Sequence, residues 1–272
     1  MKYKLTSETK RIYGRNLYRI KALKDFAEIK KGDLGGWIEK ESNLSQNGEC
    51  WVYDNACVFN NAKVYDNAKV YRNAKIFDNA KLYDNAYISD NTRVYGYAIV
   101  SGSAKIYGNA KVYGNADVYH NAEIYGNAKV YDNADLYYNA KVYGNAKVYN
   151  NAYVAGNARV YGNAKIYENA ELYGNAKLFD NAKVYDNVKV YGDAIATKEV
   201  KNIIGLPYDI TITDKHIQIG CKQFTFNQII KLNKNWNRLK ERYDTNEVKR
   251  IEPYRKVIVE LVKLEIKNEN GE

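Results

Sequence analysis

The sequence predicts an all-β solenoid of six-residue repeats, in which short strands wind round a small apolar interior. Aliphatic residues stand six apart without an insertion through 24 repeats, from Val52 to Val190. An alanine usually lies two residues before each of them, and Gly-Asn or Asp-Asn usually begins two residues after it. A fixed period of this kind decides the architecture before any single residue does.

Each repeat is predicted to be one strand and one corner. In the common stretch Ala-Lys-Val-Tyr the side chains alternate, so alanine and the aliphatic residue point inward while lysine and tyrosine point outward. The Gly or Asp that follows tolerates a positive φ and turns the chain at low steric cost. Strands of about four residues that always bend the same way wind round a prism whose successive coils pair in parallel.

The number of sides per coil follows from a resemblance. The unit Val112-Tyr113-Gly114-Asn115-Ala116-Asp117 resembles the hexapeptide-repeat motif of left-handed β-helix proteins, with an aliphatic residue followed four positions later by a small one. The resemblance implies three sides, about 18 residues per coil and about eight coils spaced by roughly 4.8 Å. A bactofilin-like right-handed triangular helix is the alternative, because a left-handed coil departs from the usual right-handed crossover.

The repeat divides the chain into a β-rich cap (1–50), the β-helix (51–198) and a small α+β domain (199–272). In the cap, Leu17–Ala22 alternates as a strand does, and Gly32–Trp37 predicts a tight glycine turn.

The C-terminal domain is predicted to begin with a hairpin. Asp209–Thr213 and His216–Ile219 alternate on either side of a short turn. Helices are predicted near Phe226–Arg242 and Tyr254–Lys267, although the stretch Val257–Val262 also suits a strand.

Composition narrows the class of protein. The formal net charge is +10, the N-terminus lacks the apolar core of a signal peptide, and no stretch approaches the roughly 18 apolar residues of a membrane span. Three cysteines without a CxxC pair, Cys50, Cys57 and Cys221, favour a reducing cytoplasm and are expected to be small buried hydrophobes. No metal-ligand spacing, nucleophile motif or P-loop is present, so neither a metal nor another cofactor is expected.

The whole chain also resembles a group of uncharacterised phage and prophage β-helix proteins, some of which are labelled putative transferases. The cap, the Asn-Ala-Lys-Val-Tyr repeats and the segment Ile217-Gln218-Ile219-Gly220-Cys221 carry this resemblance. It implies a phage origin and the cytoplasm of a bacterial host, possible binding of a host component, and little about activity.

The sequence favours a non-catalytic scaffold or binding protein over an enzyme. Hexapeptide-repeat acyltransferases use a histidine base in a cleft between subunits and usually a loop extruded from one corner. Here the repeats run without an insertion, and His120 occupies a corner position where Gly or Asp is usual. His120 is therefore a weak catalytic candidate, and an acyltransferase-like enzyme with an atypical site is the alternative.

The outward columns give the candidate binding residues, because residues 18 apart stack when three repeats make a coil. The second side of the prism stacks cations beside aromatic rings: Lys75, Arg93, Lys111, Lys129, Lys147, Lys165 and Lys183, with Tyr95, Tyr113, Tyr131, Tyr149 and Tyr167. Three interpretations remain open: solvated lysines copied by repeat duplication, a subunit contact, or binding of a protein partner, nucleotide or nucleic acid.

The third side has an acidic and apolar centre that complements this basic column. Its candidate interface residues are Ile99, Ser101, Asp117, Asp135, Tyr153, Ala155 and Glu171. A contact between the second side of one subunit and the third side of the next is heterologous and closes as a ring. A homotrimer is expected, as the hexapeptide resemblance also implies, while drift within a repeat is the alternative explanation for Ser101 and Ala155.

Overall fold

The computed structural model describes residues 1–203, 209–220, 222–234 and 252–270. The fold is a left-handed parallel β-solenoid of about nine turns, with a small antiparallel sheet and few helices at its C-terminal end. The predicted fold class is confirmed. None of the helices in the described ranges is long and apolar enough to cross a membrane.

The N-terminal segment forms three strands that extend the second side of the solenoid. Strands β1 (Tyr3–Ile12) and β2 (Arg15–Ala22) pair in an antiparallel hairpin. Strand β3 (Leu34–Ile38) pairs antiparallel with β2 and parallel with Cys57–Val58. A short 3-10 helix follows at Glu41–Asn43. The alternation that predicted a strand before residue 22 is thus confirmed in β2.

The predicted glycine turn is wrong for its second half. Gly32 does turn the chain, with a φ of +102°, but Gly35 and Gly36 lie inside β3. A Cβ on Gly35 would stand 2.6 Å from both the Ile20 Cγ1 and the Val52 carbonyl oxygen. The two glycines are therefore needed for close packing of a strand against its neighbours, which the local sequence does not distinguish from a turn.

The solenoid contains 25 strands of two residues each, β4–β28 in chain order. The first side is formed by Trp51–Val52, Lys69–Val70, Tyr87–Ile88, Lys105–Ile106, Glu123–Ile124, Lys141–Val142, Arg159–Val160, Lys177–Leu178 and Ile195–Ala196. The second side is formed by Cys57–Val58, Lys75–Ile76, Arg93–Val94, Lys111–Val112, Lys129–Val130, Lys147–Val148, Lys165–Ile166 and Lys183–Val184. The third side is formed by Lys63–Val64, Lys81–Leu82, Ile99–Val100, Asp117–Val118, Asp135–Leu136, Tyr153–Val154, Glu171–Leu172 and Lys189–Val190.

Coils pair in parallel at a constant spacing of 18 residues, as Lys111 does with Lys129. The regular strands are shorter than the four residues predicted, but hydrogen bonding between coils continues past them. The Tyr113 amide, for example, donates to the Val130 carbonyl one coil further on, at 3.0 Å. The stacked columns read from the sequence are therefore the columns of the structure.

Alanine and aliphatic side chains fill the interior, and those of the central coils are fully buried. Removing each aliphatic side chain from water contributes about 1.5–3 kcal/mol before conformational entropy is set against it. This column of small and aliphatic residues forms one continuous core from the N-terminal segment to Val200.

Each corner begins with a residue at positive φ, which explains the alternation of Gly and Asp there. Glycine adopts this conformation freely, as Gly108 does at +73°. Aspartate adopts it and also accepts a hydrogen bond, since Asp90 Oδ2 lies 2.9 Å from the Gly108 amide of the next coil. The asparagine that follows forms side-chain ladders, in which Asn109 Nδ2 donates to Asn127 Oδ1 at 3.3 Å.

One further turn precedes the regular repeats and accounts for nine turns where eight were predicted. Trp37 pairs with Cys57 and Leu44 with Val64, both at a spacing of 20 residues. Trp51 then pairs with Lys69 at 18. The wider spacing hides this turn from a search for a six-residue period.

A buried lysine anchors the start of β1 to this turn. Lys2 is 1% exposed, and its Nζ lies 2.9 Å from the Cys50 carbonyl oxygen and 3.2 Å from the Cys50 Sγ. The carbonyls of Asn47 and Gly48 each lie 3.3 Å from the same Nζ. Cys50 and Cys57 are buried free thiols, as expected, while Cys221 lies outside the described residues.

The C-terminal sheet consists of β29 (Lys201–Ile203), β30 (Ile210–Ile212), β31 (His216–Ile219) and β32 (Lys222–Thr225), all antiparallel. It is followed by α1 (Phe226–Lys234), a 3-10 turn (Glu252–Tyr254) and α2 (Arg255–Asn270). The predicted hairpin is confirmed as β30 and β31.

The predicted C-terminal helices are confirmed where the chain is described. The first is described as far as Lys234, and the predicted continuation over 235–242 lies outside the described residues. Val257–Val262 belongs to α2 and not to a strand. The sheet contacts the last coil, because Gln218 Nε2 donates to the Tyr191 carbonyl at 2.8 Å.

Candidate functional surfaces

The outward residues of the second side form what we call the Lys–Tyr face. Its aromatic column runs from Phe59 through Phe77 to Tyr185, with ring centroids 4.7–5.1 Å apart and nearly parallel planes. The stack is capped at one end by Tyr13, whose ring centroid lies 5.9 Å from that of Phe59. At the other end the Tyr185 hydroxyl donates to Glu199 at 2.6 Å. The predicted tyrosines thus form one uninterrupted stack.

The lysines beside this stack lack counterions in the middle of the face. Lys183 pairs with Glu199 at 3.8 Å, and Lys75 lies over the Tyr13 ring at 5.2 Å. Within the described part of the chain, four consecutive lysines make no ion pair: Lys111, Lys129, Lys147 and Lys165. Because like charges one coil apart repel each other, this column carries uncompensated positive charge.

Corner carboxylates do not neutralise these lysines, although the sequence places them nearby. Asp132 Oδ2 accepts the Asn150 amide at 3.4 Å, and Glu168 Oε2 accepts the Asp186 amide at 2.8 Å. Lysines of the first side are better compensated, since Lys141 pairs with Glu123 at 3.1 Å and Lys69 with Glu28 at 2.7 Å.

The centre of the third side, which we call the acidic patch, carries Asp117 and Asp135 one coil apart. Burial raises the pKa of the Asp117 carboxyl, partly opposed by a hydrogen bond from Tyr119. Burial also raises the pKa of the Asp135 carboxyl, and the neighbouring charge of Asp117 adds to the effect. Neither carboxylate has a cationic partner within the described residues. Glu171, two coils further on, pairs with Lys189 at 2.9 Å.

The missing tyrosines of the third side leave gaps that neighbouring side chains close. Ser101 and Ala155 occupy ring positions, yet they are only 2% and 4% exposed. Beside Ala155, the Tyr153 ring leans towards Tyr137, with centroids 5.5 Å apart. The predicted interruption of the tyrosine column is real, but it does not open a pocket at either position.

The same exchange occurs on the first side, where sequence analysis did not identify it. Ser89 stands in a ring position and is 4% exposed. Tyr87, two residues earlier, contacts the Tyr71 ring with centroids 5.0 Å apart. An aromatic residue two positions before a small one was the available signal, because both side chains point to the same outer face.

His120 lies at an exposed corner between the third and first sides, with a φ of +58°. Its ring stacks on that of Tyr138, the corresponding residue one coil on, with centroids 4.8 Å apart. Tyr138 is 54% exposed and also has a positive φ. A ring at such a corner is sterically costly, so these two residues mark the corner as unusual without forming an enclosed site.

Two open clefts lie at the N-terminal end of the solenoid. One of about 320 Å³ is lined by Arg15, Lys40, Asn60, Asn61, Asp78, Asn79, Gly96 and Tyr97. The other, of about 420 Å³, is lined by Ser42, Ser45, Lys63, Val64, Tyr65 and Lys81. Within the described ranges, no group of three or more His, Cys, Asp or Glu side chains is arranged to hold a metal ion.

Comparison with known proteins adds one short match. A stretch of 44 residues is 48% identical to the uncharacterized acetyltransferase YdcK of Escherichia coli (strain K12), covering 16% of this chain and 14% of that protein. No protein family profile matches the chain. The match and the solenoid together fit a hexapeptide-repeat β-helix, but the chain spans only a small part of the length of that relative.

Proposed function

We propose that this protein is a non-catalytic scaffold that assembles as a closed trimer through its Lys–Tyr face and its acidic patch. The observation that carries the proposal is the presence, on two sides of one chain, of complementary charges that are uncompensated within the described residues. In such a trimer the Lys–Tyr face of each subunit contacts the acidic patch of the next, and the three contacts close a ring.

The complementary charges lie at matching heights along the solenoid axis. Lys111 and Asp117 belong to one coil, and Lys129 and Asp135 belong to the next. In a three-fold assembly with parallel solenoid axes, equal coils of neighbouring subunits meet. Each lysine of this pair of coils then faces an aspartate of its neighbour, and both rows repeat at the same spacing of about 4.8 Å.

Pairing would also relieve the strain on the partly buried carboxylates. Burial raises the pKa values of Asp117 and Asp135, so their ionised forms are poorly solvated in the separate protomer. A facing ammonium group stabilises the ionised form. The ends of the same two sides fit less well, because Lys75 and Lys81 share a coil and would repel across the contact.

This arrangement leaves the first side and the C-terminal sheet and helices available to another partner. The first side is mixed in charge, with ion pairs such as Lys141 to Glu123 at 3.1 Å. A scaffold of this kind holds three copies of its C-terminal unit at one end of a rigid prism.

The test is a charge exchange across the proposed contact, read by the mass of the assembly in solution at low ionic strength. We expect a trimer for the unmodified chain, and loss of the trimer in Lys111→Glu/Lys129→Glu and in Asp117→Lys/Asp135→Lys. Combining all four substitutions restores complementary charges and is expected to restore the trimer. The matched control Lys105→Glu/Lys177→Glu alters two exposed lysines of the first side and should leave the mass unchanged.

A monomer at micromolar concentration would overturn the trimer, and retention of the trimer by both double charge reversals would overturn the proposed contact. A monomer that binds single-stranded DNA or RNA with strong salt dependence would instead assign the Lys–Tyr face to an extended polyanion, since stacked rings beside cations suit such a ligand.

An acyltransferase-like activity is the second candidate, and the 44-residue match to YdcK is what favours it. His120 is the residue to test, because it is the histidine within the repeats. We expect no transfer from an acetyl thioester donor to amine or hydroxyl acceptors. Turnover that disappears in His120→Asn would support the enzyme, since asparagine tolerates the positive φ of this corner and should preserve the fold.

A further inference from the structure

We propose that a notch at the N-terminal end of the third side binds a purine nucleoside monophosphate. The site is independent of the trimer contact, because it lies at the coils of Lys63 and Lys81 and not at those of Asp117 and Asp135. Its argument begins with the ring positions at the ends of the aromatic columns.

The notch exists because the irregular first turn places short side chains above the third side. Leu44 pairs with Val64, and the Ser45 amide donates to the Val64 carbonyl at 2.9 Å. In the regular coils the Tyr65 amide makes the equivalent bond to the Leu82 carbonyl at 3.1 Å. Ser45 therefore stands in the position that would hold the next ring above Tyr65.

This empty ring position is open, unlike the internal ones. Ser89, Ser101 and Ala155 also occupy ring positions, but they are only 2–4% exposed because neighbouring side chains cover them. Ser45 is half-buried and lines a cleft of about 420 Å³.

The other two aromatic columns are closed at this end by the N-terminal segment. Phe59 is 1% exposed and contacts Tyr13, and the Tyr53 hydroxyl donates to Glu28. The Tyr65 side chain stacks on Tyr83 at 5.2 Å, and no ring contact or hydrogen bond joins it to an earlier residue of the described chain. One face of the Tyr65 ring is thus available to a planar ligand.

Charge beside the ring indicates an anionic ligand. Lys63 and Lys81 are both exposed, stand one coil apart and line the cleft. Neither makes an ion pair within the described residues. The hydroxyls of Ser42 and Ser45 line the opposite wall and can donate to phosphate oxygens.

Acidic groups near the notch lie on the other flank of the ring, at the corner that follows Tyr65. Asp66 accepts the Asp84 amide at 3.4 Å, and Asp84 accepts the Gly102 amide at 3.0 Å. Glu41 is exposed in the 3-10 turn next to Ser42. A ligand whose planar group stacks on Tyr65 and whose phosphate lies between the two lysines keeps its negative charge on the cationic flank.

A purine ring satisfies the stacking position and a phosphate satisfies the cations, which selects a nucleoside monophosphate over either part alone. Stacking of a base on an aromatic side chain accounts for about a tenfold change in affinity or more when that side chain is replaced by alanine. Loss of the two cations is expected to weaken binding further and to reduce its dependence on salt.

The test is a titration of the full chain with adenosine monophosphate, adenosine and inorganic phosphate at low ionic strength. We expect saturable binding of adenosine monophosphate with one site per chain and a dissociation constant below about 1 mM. Adenosine and phosphate should each bind more weakly. Tyr65→Ala should weaken binding of the monophosphate about tenfold, and Lys63→Gln/Lys81→Gln should lower both the affinity and the salt dependence.

Ser45→Tyr is the decisive variant, because it places the ring usual at this position into the notch and should abolish binding while preserving the fold. The matched control is Lys105→Gln/Lys177→Gln, which should bind as the unmodified chain does. Unchanged binding in Ser45→Tyr overturns the proposal, as does phosphate binding as tight as that of the monophosphate. Binding of an adenine oligonucleotide without binding of the monophosphate also overturns it and directs attention to the Lys–Tyr face.

Discussion

Replacing Val130 with alanine should destabilise the solenoid by about 2–3 kcal/mol. Val130 is fully buried and lies between Val112 and Val148 of the adjacent coils. The two lost methyl groups account for about 1.6 kcal/mol of transfer free energy, and the remaining cavity adds on the order of 1 kcal/mol because stacked coils collapse only partly around it. The expected decrease therefore exceeds anything that an outward substitution in the same strand produces.

Guanidinium chloride unfolding at one fixed protein concentration measures this decrease, with Lys129→Ala as the control. Lys129 is the outward neighbour of Val130 in the same strand, and its replacement should change the free energy of unfolding by less than about 0.5 kcal/mol. Amide hydrogen exchange should localise the loss of protection in Val130→Ala to the coils on either side of it, because each coil contacts only its neighbours. Equal losses in the two variants, or a loss of protection spread evenly over the chain, would refute this account of the core.

Three further predictions concern the N-terminal segment. Burial would raise the pKa of Glu28, but hydrogen bonds from Lys69 and Tyr53 outweigh it and lower the pKa from 4.5 to about 2; unfolding measured as a function of pH should therefore show stability lost between pH 4.5 and about 2, and Glu28→Gln should lack that loss. Gly35→Ala should cost about 2 kcal/mol in thermal or denaturant unfolding, since its Cβ would overlap three neighbours. Lys2→Ala should leave buried carbonyls without a donor and speed amide exchange in β1, whereas Cys50→Ala, which removes only the thiol contact, should have the smaller effect.

The regular coils could be read from the sequence because their period and their hydrogen bonding have the same length. A spacing of 18 residues assigns Lys111 to the row of Lys129 and Asp117 to the row of Asp135, and the strand pairing follows these assignments. Charge complementarity between the two sides therefore follows from the spacing of residues alone. Corner chemistry was equally local, because Gly and Asp are the residues that adopt a positive φ at low cost.

The first turn could not be read in this way. Leu44 lies 20 residues before its partner Val64, so neither the turn nor the open position at Ser45 follows a six-residue period. The glycines of β3 failed for a related reason: close approach of Ile20 and Val52 to Gly35 is a tertiary contact between distant segments. Local sequence reports which conformations a residue tolerates, whereas these positions are decided by what packs against them.

The constant coil length makes the solenoid a molecular ruler. Eighteen residues return the chain to the same side of the prism, so removal or insertion of one whole coil changes the distance between the two ends by about 4.8 Å without rotating one relative to the other. A change of six residues instead rotates everything beyond it by one side of the prism. Duplication in this gene can therefore adjust length and orientation separately, in fixed steps, while the asparagine and tyrosine columns remain continuous.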